Sequence, residues 1–243
     1  RRGELDMSLT SGRGVHAFPP EPFCSLYQRS IYQSIRSSIK STFRNLGKKI
    51  KEADLKIKDQ TAGLLNIENS LLNFAGKILK MKIEGKKIRI HGDYNLKQIL
   101  FTGKDFVIQN FEGNLNHAAT ERRLKRSALR DIAELIYSLY SASYYSVIKY
   151  KTRLNDELKE LEPFSMLWWQ YMSGILLKSY WDTAINDGFL PLNINDAEYL
   201  IEIYLLEKAL NELNSNLEKN TEWDIVPLNL LQYLNKLAIE KAN

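Results

Sequence analysis

The run Gly85-Lys86-Lys87-Ile88-Arg89-Ile90-His91-Gly92-Asp93-Tyr94-Asn95-Leu96-Lys97-Gln98-Ile99-Leu100-Phe101-Thr102-Gly103-Lys104-Asp105-Phe106-Val107-Ile108-Gln109 decides the fold, because here the apolar residues stop recurring at helical spacing. Lys87 to Ile90 alternates polar with apolar, as a half-buried strand does. Gln98 to Phe101 and Phe106 to Gln109 flank the turn-prone Thr102-Gly103-Lys104-Asp105, so they predict a β-hairpin. Polar clusters sit at both mouths of that hairpin, His91 to Gln98 before it and Asn110-Phe111-Glu112-Gly113 after it. An Asp leaving one strand, a side-chain amide five residues on and a second oxygen ligand returning along the hairpin can surround one hard cation and one hydroxyl, the arrangement phosphoryl transfer uses. His-Gly-Asp is also a common turn tripeptide, so the run alone leaves both readings open.

Outward from this island the chain reads as helix. Tyr27, Ile31, Ile35, Ile39, Phe43, Leu46 and Ile50 recur every three or four residues and predict a long helix from about Ser25. Arg36, Lys40, Arg44 and Lys48 make one flank of it basic, either a solvated face or a surface for RNA or anionic lipid. A second helix is expected over about Thr61 to Met81, packed on the first. Four more follow the island, over Ala128 to Tyr150, Pro163 to Trp181, Asp196 to Glu218 and Leu228 to Ala242. In the second of these, Trp168, Trp169, Tyr171 and Tyr180 suit core packing or the wall of a sugar site. Residues 1–24 hold Gly3, Gly12, Gly14 and Phe18-Pro19-Pro20-Glu21-Pro22, and read as a loop-rich opening segment before a domain over 25–243. The expected fold class is α+β, predominantly α-helical, with a small β-hairpin carrying the site.

Composition narrows the classes further. With 44% hydrophobic and 26% charged residues over 243 positions, the chain has the makings of an ordinary core and is not a disordered tail. A net charge of +5 does not by itself imply nucleic acid. One cysteine, Cys24, excludes an internal disulfide, and three histidines fall short of a structural zinc set. The absence of a long apolar run gives no reason to expect a membrane span, and the cytoplasm is the expected compartment. The chain starts with Arg, as a piece of a longer polypeptide would.

A set of ordered segments resembles bacterial maltokinase, the kinase often fused to trehalose synthase and placed among the aminoglycoside phosphotransferase-like kinases. The segments are Pro20-Glu21-Pro22-Phe23, Leu26 to Ser34, His91-Gly92-Asp93-Tyr94, Leu100 to Ile108, Phe111-Glu112-Gly113, Glu121 to Ser127, Leu129-Arg130-Asp131, Leu206 to Leu210 and Trp223 with Pro227-Leu228. The resemblance covers the C-terminal lobe of such kinases; the N-terminal, nucleotide-covering lobe and a Gly-rich phosphate loop have no counterpart here. It implies ATP-dependent phosphorylation of maltose, or a related α-glucoside, at the anomeric hydroxyl to maltose 1-phosphate, in glycogen-like glucan synthesis and with Mg²⁺. Asp93 then matches the catalytic base, Gln98 and Asn110 the metal ligands, and Asn95, Lys208 and Glu212 the sugar-binding positions. A trehalose synthase domain or subunit is the implied partner.

Departures from the family pattern fall in the same places. Asn95 stands where the family has His, Asn110 where it has Asp, and Asn211, Asn216 and Asn220 replace Tyr, Glu and Arg around the sugar. Asn110 offers a neutral carbonyl where a carboxylate is expected, which weakens the hold on a divalent cation. Glu112, two residues on, substitutes only if the strand persists. The resemblance therefore leaves two readings, an impaired or incomplete kinase and a catalytically silent, pseudokinase-like binding module.

Overall fold

The computed structural model describes residues 2–10, 19–52, 66–115, 117–151, 161–219 and 224–241. The chain forms two compact units, residues 1–23 with 83–201 and residues 24–82 with 202–243.

In the first unit the chain opens with helix α1 (Arg2–Thr10) and reaches strand β1 (Glu21–Pro22), which pairs antiparallel with β2 (Lys86–Lys87). Glu21 bonds both Lys87 and Lys125, and those two bonds hold its carboxyl below the usual carboxylate range. Strand β3 (Ile99–Phe101) pairs with β4 (Phe106–Ile108) in register Ile99 with Ile108, Leu100 with Val107 and Phe101 with Phe106. The one-turn helix α4, numbered in chain order, is Ala119–Arg122 and is followed by α5 (Leu129–Lys151) and α6 (Glu162–Ala184). Helix α6 starts with Pro163 in its first turn, where a missing N–H costs nothing. Helices α5 and α6 pack on each other and α1 packs on α6. Gly3 permits that last contact, since a Cβ there would fall 2.7 Å from the Thr183 methyl carbon.

The second unit holds α2 (Ser25–Glu52), α3 (Glu68–Gly76) with a 3₁₀ turn (Lys77–Lys80), and α8 (Ile225–Glu240). Helix α7 (Ile194–Lys219) belongs to the first unit up to Ile201 and to the second beyond it. The predicted stripe of α2 is buried from Tyr27 through Leu46, and its helix packs on α3 as expected. Burying each of the isoleucines in that stripe stabilises the unit by roughly 1.5–3 kcal/mol. The basic flank Arg36, Lys40, Arg44 and Lys48 is exposed to solvent.

The α+β, mostly helical class is what the structure shows, with three corrections. Part of the expected opening loop is helix, Arg2–Thr10. The strand expected over Lys87 to Ile90 is Lys86–Lys87, with Ile88 making only an isolated bridge to Arg126. The last helix begins at Ile225 rather than Leu228. The second helix is described from Glu68, and its expected start at Thr61 lies outside the described residues.

Candidate active site

Between β2 and β3 the chain turns through His91-Gly92-Asp93, and the backbone of that turn is held by one side chain. The carboxylate of Asp131, in the first turn of α5 and fully buried, accepts the His91 N–H at 2.7 Å and the Gly92 N–H at 3.0 Å. Gly92 takes φ +79°, which a β-carbon disfavours. Two amides that have left the strand ladder thus find one anion, and charge-assisted bonds of this kind are about twice as strong as neutral ones.

A buried carboxylate needs a counter-charge, and Arg2 supplies it. Its guanidinium bonds Asp131 and lies 2.7 Å from the Asp6 carboxylate one helical turn on, over the Tyr94 ring at 4.6 Å. Burial works against the Arg2 charge, but Asp131 and Asp6 outweigh it and hold the guanidinium protonated well above its ordinary value. Burial raises Asp6, against the pull of Arg2 and with the push of Asp131, to about 6. Tyr180 donates its hydroxyl to Asp6 at 2.8 Å and is itself driven well above the usual tyrosine value by burial and by that neighbour.

His91 locks the turn from the other side. The Asp93 N–H donates to Nδ1 at 3.3 Å, so Nε2 carries the proton and donates to the Gln109 carbonyl at 2.8 Å. The imidazole is buried, with Phe111 and Tyr94 ring centroids 5.1 and 5.6 Å away. This residue joins the turn to the far end of the hairpin.

Asp93, Asn95, Gln98 and Asn110, singled out from the sequence, come together at the hairpin mouth. Gln98 Nε2 donates to Asp93 Oδ2 at 2.8 Å, and Asn95 Nδ2 donates to Asp93 Oδ1 at 3.1 Å. Asn110 Nδ2 donates to Gln98 Oε1 at 2.6 Å, completing a relay of side chains. Asn95 also accepts the Lys97 N–H at 3.0 Å and so caps the 3₁₀ turn Leu96–Gln98. Its side chain is engaged with Asp93 and with this turn. Asn110 has φ +60°, a left-handed backbone in which Asn is tolerated better than most residues.

Lys208 and Glu212, on α7 in the second unit, form an i, i+4 ion pair at 2.9 Å. Asn211 and Asn216 lie on the same helix, while Asn220 and Trp223 lie outside the described residues. The aromatic cluster of α6 divides. Trp169 is buried and donates to the Ile136 carbonyl at 3.0 Å, and Tyr180 is buried on Asp6, whereas Trp168 and Tyr171 are exposed.

The hairpin mouth is not an all-protein cage for Mg²⁺, which commonly takes one or two carboxylates and completes its shell with substrate phosphates and water. Among the described residues no three of His, Cys, Asp and Glu gather to hold a metal, and the relay contains one carboxylate, Asp93. Both amides spend groups on each other and on that carboxylate. Glu112 does not replace the missing anion by strand alternation, because β4 ends at Ile108 and Phe111-Glu112 is a turn.

The hairpin offers a second feature that sequence patterning left unassigned. Leu100 and Val107 are paired on one face, 50% and 48% exposed, and Ile99 with Ile108 occupies the other. Leu100 lies two residues from Gln98 and Val107 three from Asn110, while on the other face Phe101 and Phe106 are also exposed. Both strands are continuously apolar, so nothing in the sequence said which side chains the fold would leave exposed.

No family model matches the chain. In structure it is similar to a glucosamine kinase in complex with glucosamine, ADP and inorganic phosphate, with a TM-score of 0.76 at 16% identity over 99% of this chain and 54% of that one. Two other crystal forms of glucosamine kinase give TM-scores of 0.74, also at 16% identity, over 96% of this chain and 51% and 48% of theirs. The likeness establishes a kinase-like fold, and the chain spans about half the length of the kinases it matches. Among the described residues no helix is long and apolar enough to cross a membrane.

The Asp6 carboxyl carries a stability prediction with a definite sign. Its folded value, about 6, lies above the ordinary 3.8, so the folded state binds the proton more tightly. The contribution is complete below about pH 4 and is lost as pH rises through 6. Urea unfolding of the native protein and of Asp6→Asn at several pH values between 4 and 7 should show the native protein losing stability relative to the variant across that window. Parallel profiles would contradict the assignment.

Proposed function

We propose that residues 25–243 are the C-terminal lobe of an ATP-dependent sugar phosphotransferase of maltokinase type, phosphorylating maltose or a related α-glucoside at the anomeric hydroxyl. The observation that carries this reading is the Asp93 carboxylate, half-buried and aimed by Gln98 and Asn95 on a turn that Asp131 fixes. The kinase-like fold, shared with glucosamine kinase, supports it. So does the order of the maltokinase-like segments along the sequence.

In this reading Asp93 accepts the proton of the attacking hydroxyl. The sugar oxygen forms its bond to the γ-phosphorus as the bond from phosphorus to the β,γ-bridging oxygen breaks, and ADP leaves. The amide N–H groups on both Asp93 oxygens hold the carboxylate in one orientation, ready to take that proton. Leu100 and Val107 are suited to the flat ring of the nucleotide. Asn95, Lys208 and Glu212 are assigned to the sugar, as the resemblance implies. A trehalose synthase domain or subunit would supply maltose in the cytoplasm, and glucan synthesis would consume the product.

One observation favours the second reading, a silent pseudokinase-like module that binds without turnover. It is the neutral relay itself, in which Asn110 gives Gln98 a hydrogen bond and no negative charge reaches the place of the second metal ligand.

Two measurements separate the readings. In the intact protein, Asp93→Asn should lower maltose-dependent ATP consumption by at least about a hundredfold, the scale of general-base catalysis. If the intact protein turns over no ATP with maltose present, the silent module stands. Asn110→Asp should raise Mg²⁺-dependent nucleotide affinity by about tenfold, the scale of one charge-assisted contact. An unchanged affinity in equilibrium binding would show that Asn110 does not face the nucleotide's phosphates.

A further inference from the structure

Helix α6 is apolar on the side that faces away from the core. From Pro163 to Leu177 it carries no charged residue. Its inner side is accounted for, since Trp169 is buried on the Ile136 carbonyl and Tyr180 on Asp6. Phe164, Leu167, Trp168, Tyr171 and Ile175 stand on the opposite side, within an arc of about 100° at 100° per residue. Phe164 and Tyr171 are each 66% exposed and Ile175 62%, with Leu167 and Trp168 close to half-exposed. Single exposed apolar residues are ordinary, but a helix that is apolar all round is normally covered all round. A contiguous ridge of this kind marks a surface that something else covers.

Gly174 lies on the same ridge and points the same way. Glycine is the poorest helix former after proline, and this one is exposed in the interior of a helix. A Cβ at this position would meet nothing within 4 Å, and the backbone is not left-handed here. Packing within the chain therefore gives no reason for its small size. It leaves a notch in an otherwise bulky ridge, the form that close approach from outside requires.

The order of residues along the ridge says what fits it. Counting outward from Tyr171, Trp168 lies three residues before and Gly174 three after, Leu167 and Ile175 lie four to either side, and Phe164 and Lys178 lie seven. Turned end for end about Tyr171, the ridge meets itself. The indole falls over the glycine notch, leucine beside isoleucine, and the phenyl ring beside the stem and ammonium of Lys178. Antiparallel pairing of two identical helices about a two-fold axis produces this reversal and makes each contact twice. It buries no unpaired charge, and the ion pair of Lys178 with Asp182, 2.8 Å apart, stays at the solvated rim.

The available area agrees. Aromatic side chains bury roughly 150–250 Å² each, so the exposed parts of the five ridge residues come to on the order of 500 Å² per copy. Two copies then bury about 1,000 Å², the lower limit of a specific interface, with the aromatic-rich and charge-poor composition of an interface centre. That is the size of a weak, reversible dimer.

We propose that α6 is the contact of a reversible homodimer, packed antiparallel on the same helix of a second copy with Tyr171 at the two-fold axis. The dimer does not rest on the reading of Asp93. It braces α6 from the side opposite Tyr180, and so steadies the helix that holds Asp6 and, through Asp6, Arg2.

The test is sedimentation velocity of the intact protein from about 1 to about 200 μM, where monomer should pass into dimer with a dissociation constant on the order of 10 μM. Gly174→Leu should weaken the dimer at least about tenfold by filling the notch, and should not lower the thermal stability of the dilute protein, because its side chain enters open space in a single copy. Trp168→Ala should weaken the dimer by a similar factor. In a Cys24→Ser background, Tyr171→Cys should form a disulfide with its copy on mild oxidation, since facing Cα atoms of helices about 8–10 Å apart come within bridging range. Lys178→Cys in the same background should not, because it and its copy then lie about 20 Å apart along the helices. A protein that sediments as monomer throughout overturns the proposal, whether or not it then binds another surface such as zwitterionic vesicles. A dimer that Gly174→Leu and Trp168→Ala both leave intact also overturns it, because that dimer forms through another face. Cross-linking through Lys178→Cys and not through Tyr171→Cys overturns the antiparallel register.

Discussion

The carboxylate of Asp131, fully buried beneath a turn of backbone, is the constraint on which the rest of the first unit depends. Placing an anion there costs several kcal/mol unless it is compensated. The compensation comes from sequence positions 40 and 129 residues away, the His91 and Gly92 amides and the Arg2 guanidinium. Each partner is thereby placed by the others. The amides fix the direction in which the chain leaves β2, and that direction sets where Asp93 emerges. Arg2 brings α1 onto the unit, and Asp6 and Tyr180 follow as its remaining partners. Removing any one member leaves buried charge without its mate, so the network acts as a unit.

From this base the hairpin mouth is built of neutral donors around a single acid. The amides of Gln98 and Asn95 pin the two oxygens of Asp93, and Asn110 pins Gln98. The result is a well-oriented carboxylate with no second carboxylate in the relay. The chain thus combines a kinase-like fold with a hairpin mouth that offers one carboxylate among neutral amides.

What the sequence disclosed follows from which forces leave a local pattern. The stripe from Tyr27 to Leu46 was legible because one face of a long helix must be apolar to be buried. The hairpin was legible because the turn-prone Thr102 to Asp105 interrupts two short apolar runs, and its pairing places Leu100 opposite Val107. The convergence of Asp93, Gln98 and Asn110 followed from that hairpin, since strand ends bring their flanking residues together. Helix α1 was not legible. Its residues include Gly3, Ser8 and Thr10, it has no apolar stripe, and it is held by the buried Arg2 and by the close approach of Gly3 to Thr183. Asp131 was equally hidden, because an acid in the first turn of a helix is ordinary, and only tertiary contact shows that this one faces the core. Trp168 and Trp169 differ in burial although they are neighbours, as adjacent positions on a helix point about 100° apart.

The most direct measurement is amide hydrogen exchange at His91 and Gly92 in the native protein and in Asp131→Asn. A charge-assisted bond to each amide is worth about 1.5–3 kcal/mol, so exchange at both should quicken by at least about tenfold in the variant under conditions where the protein stays folded. Unchanged protection at these two amides would mean that the turn holds itself without Asp131, and the account of how Asp93 is aimed would be wrong.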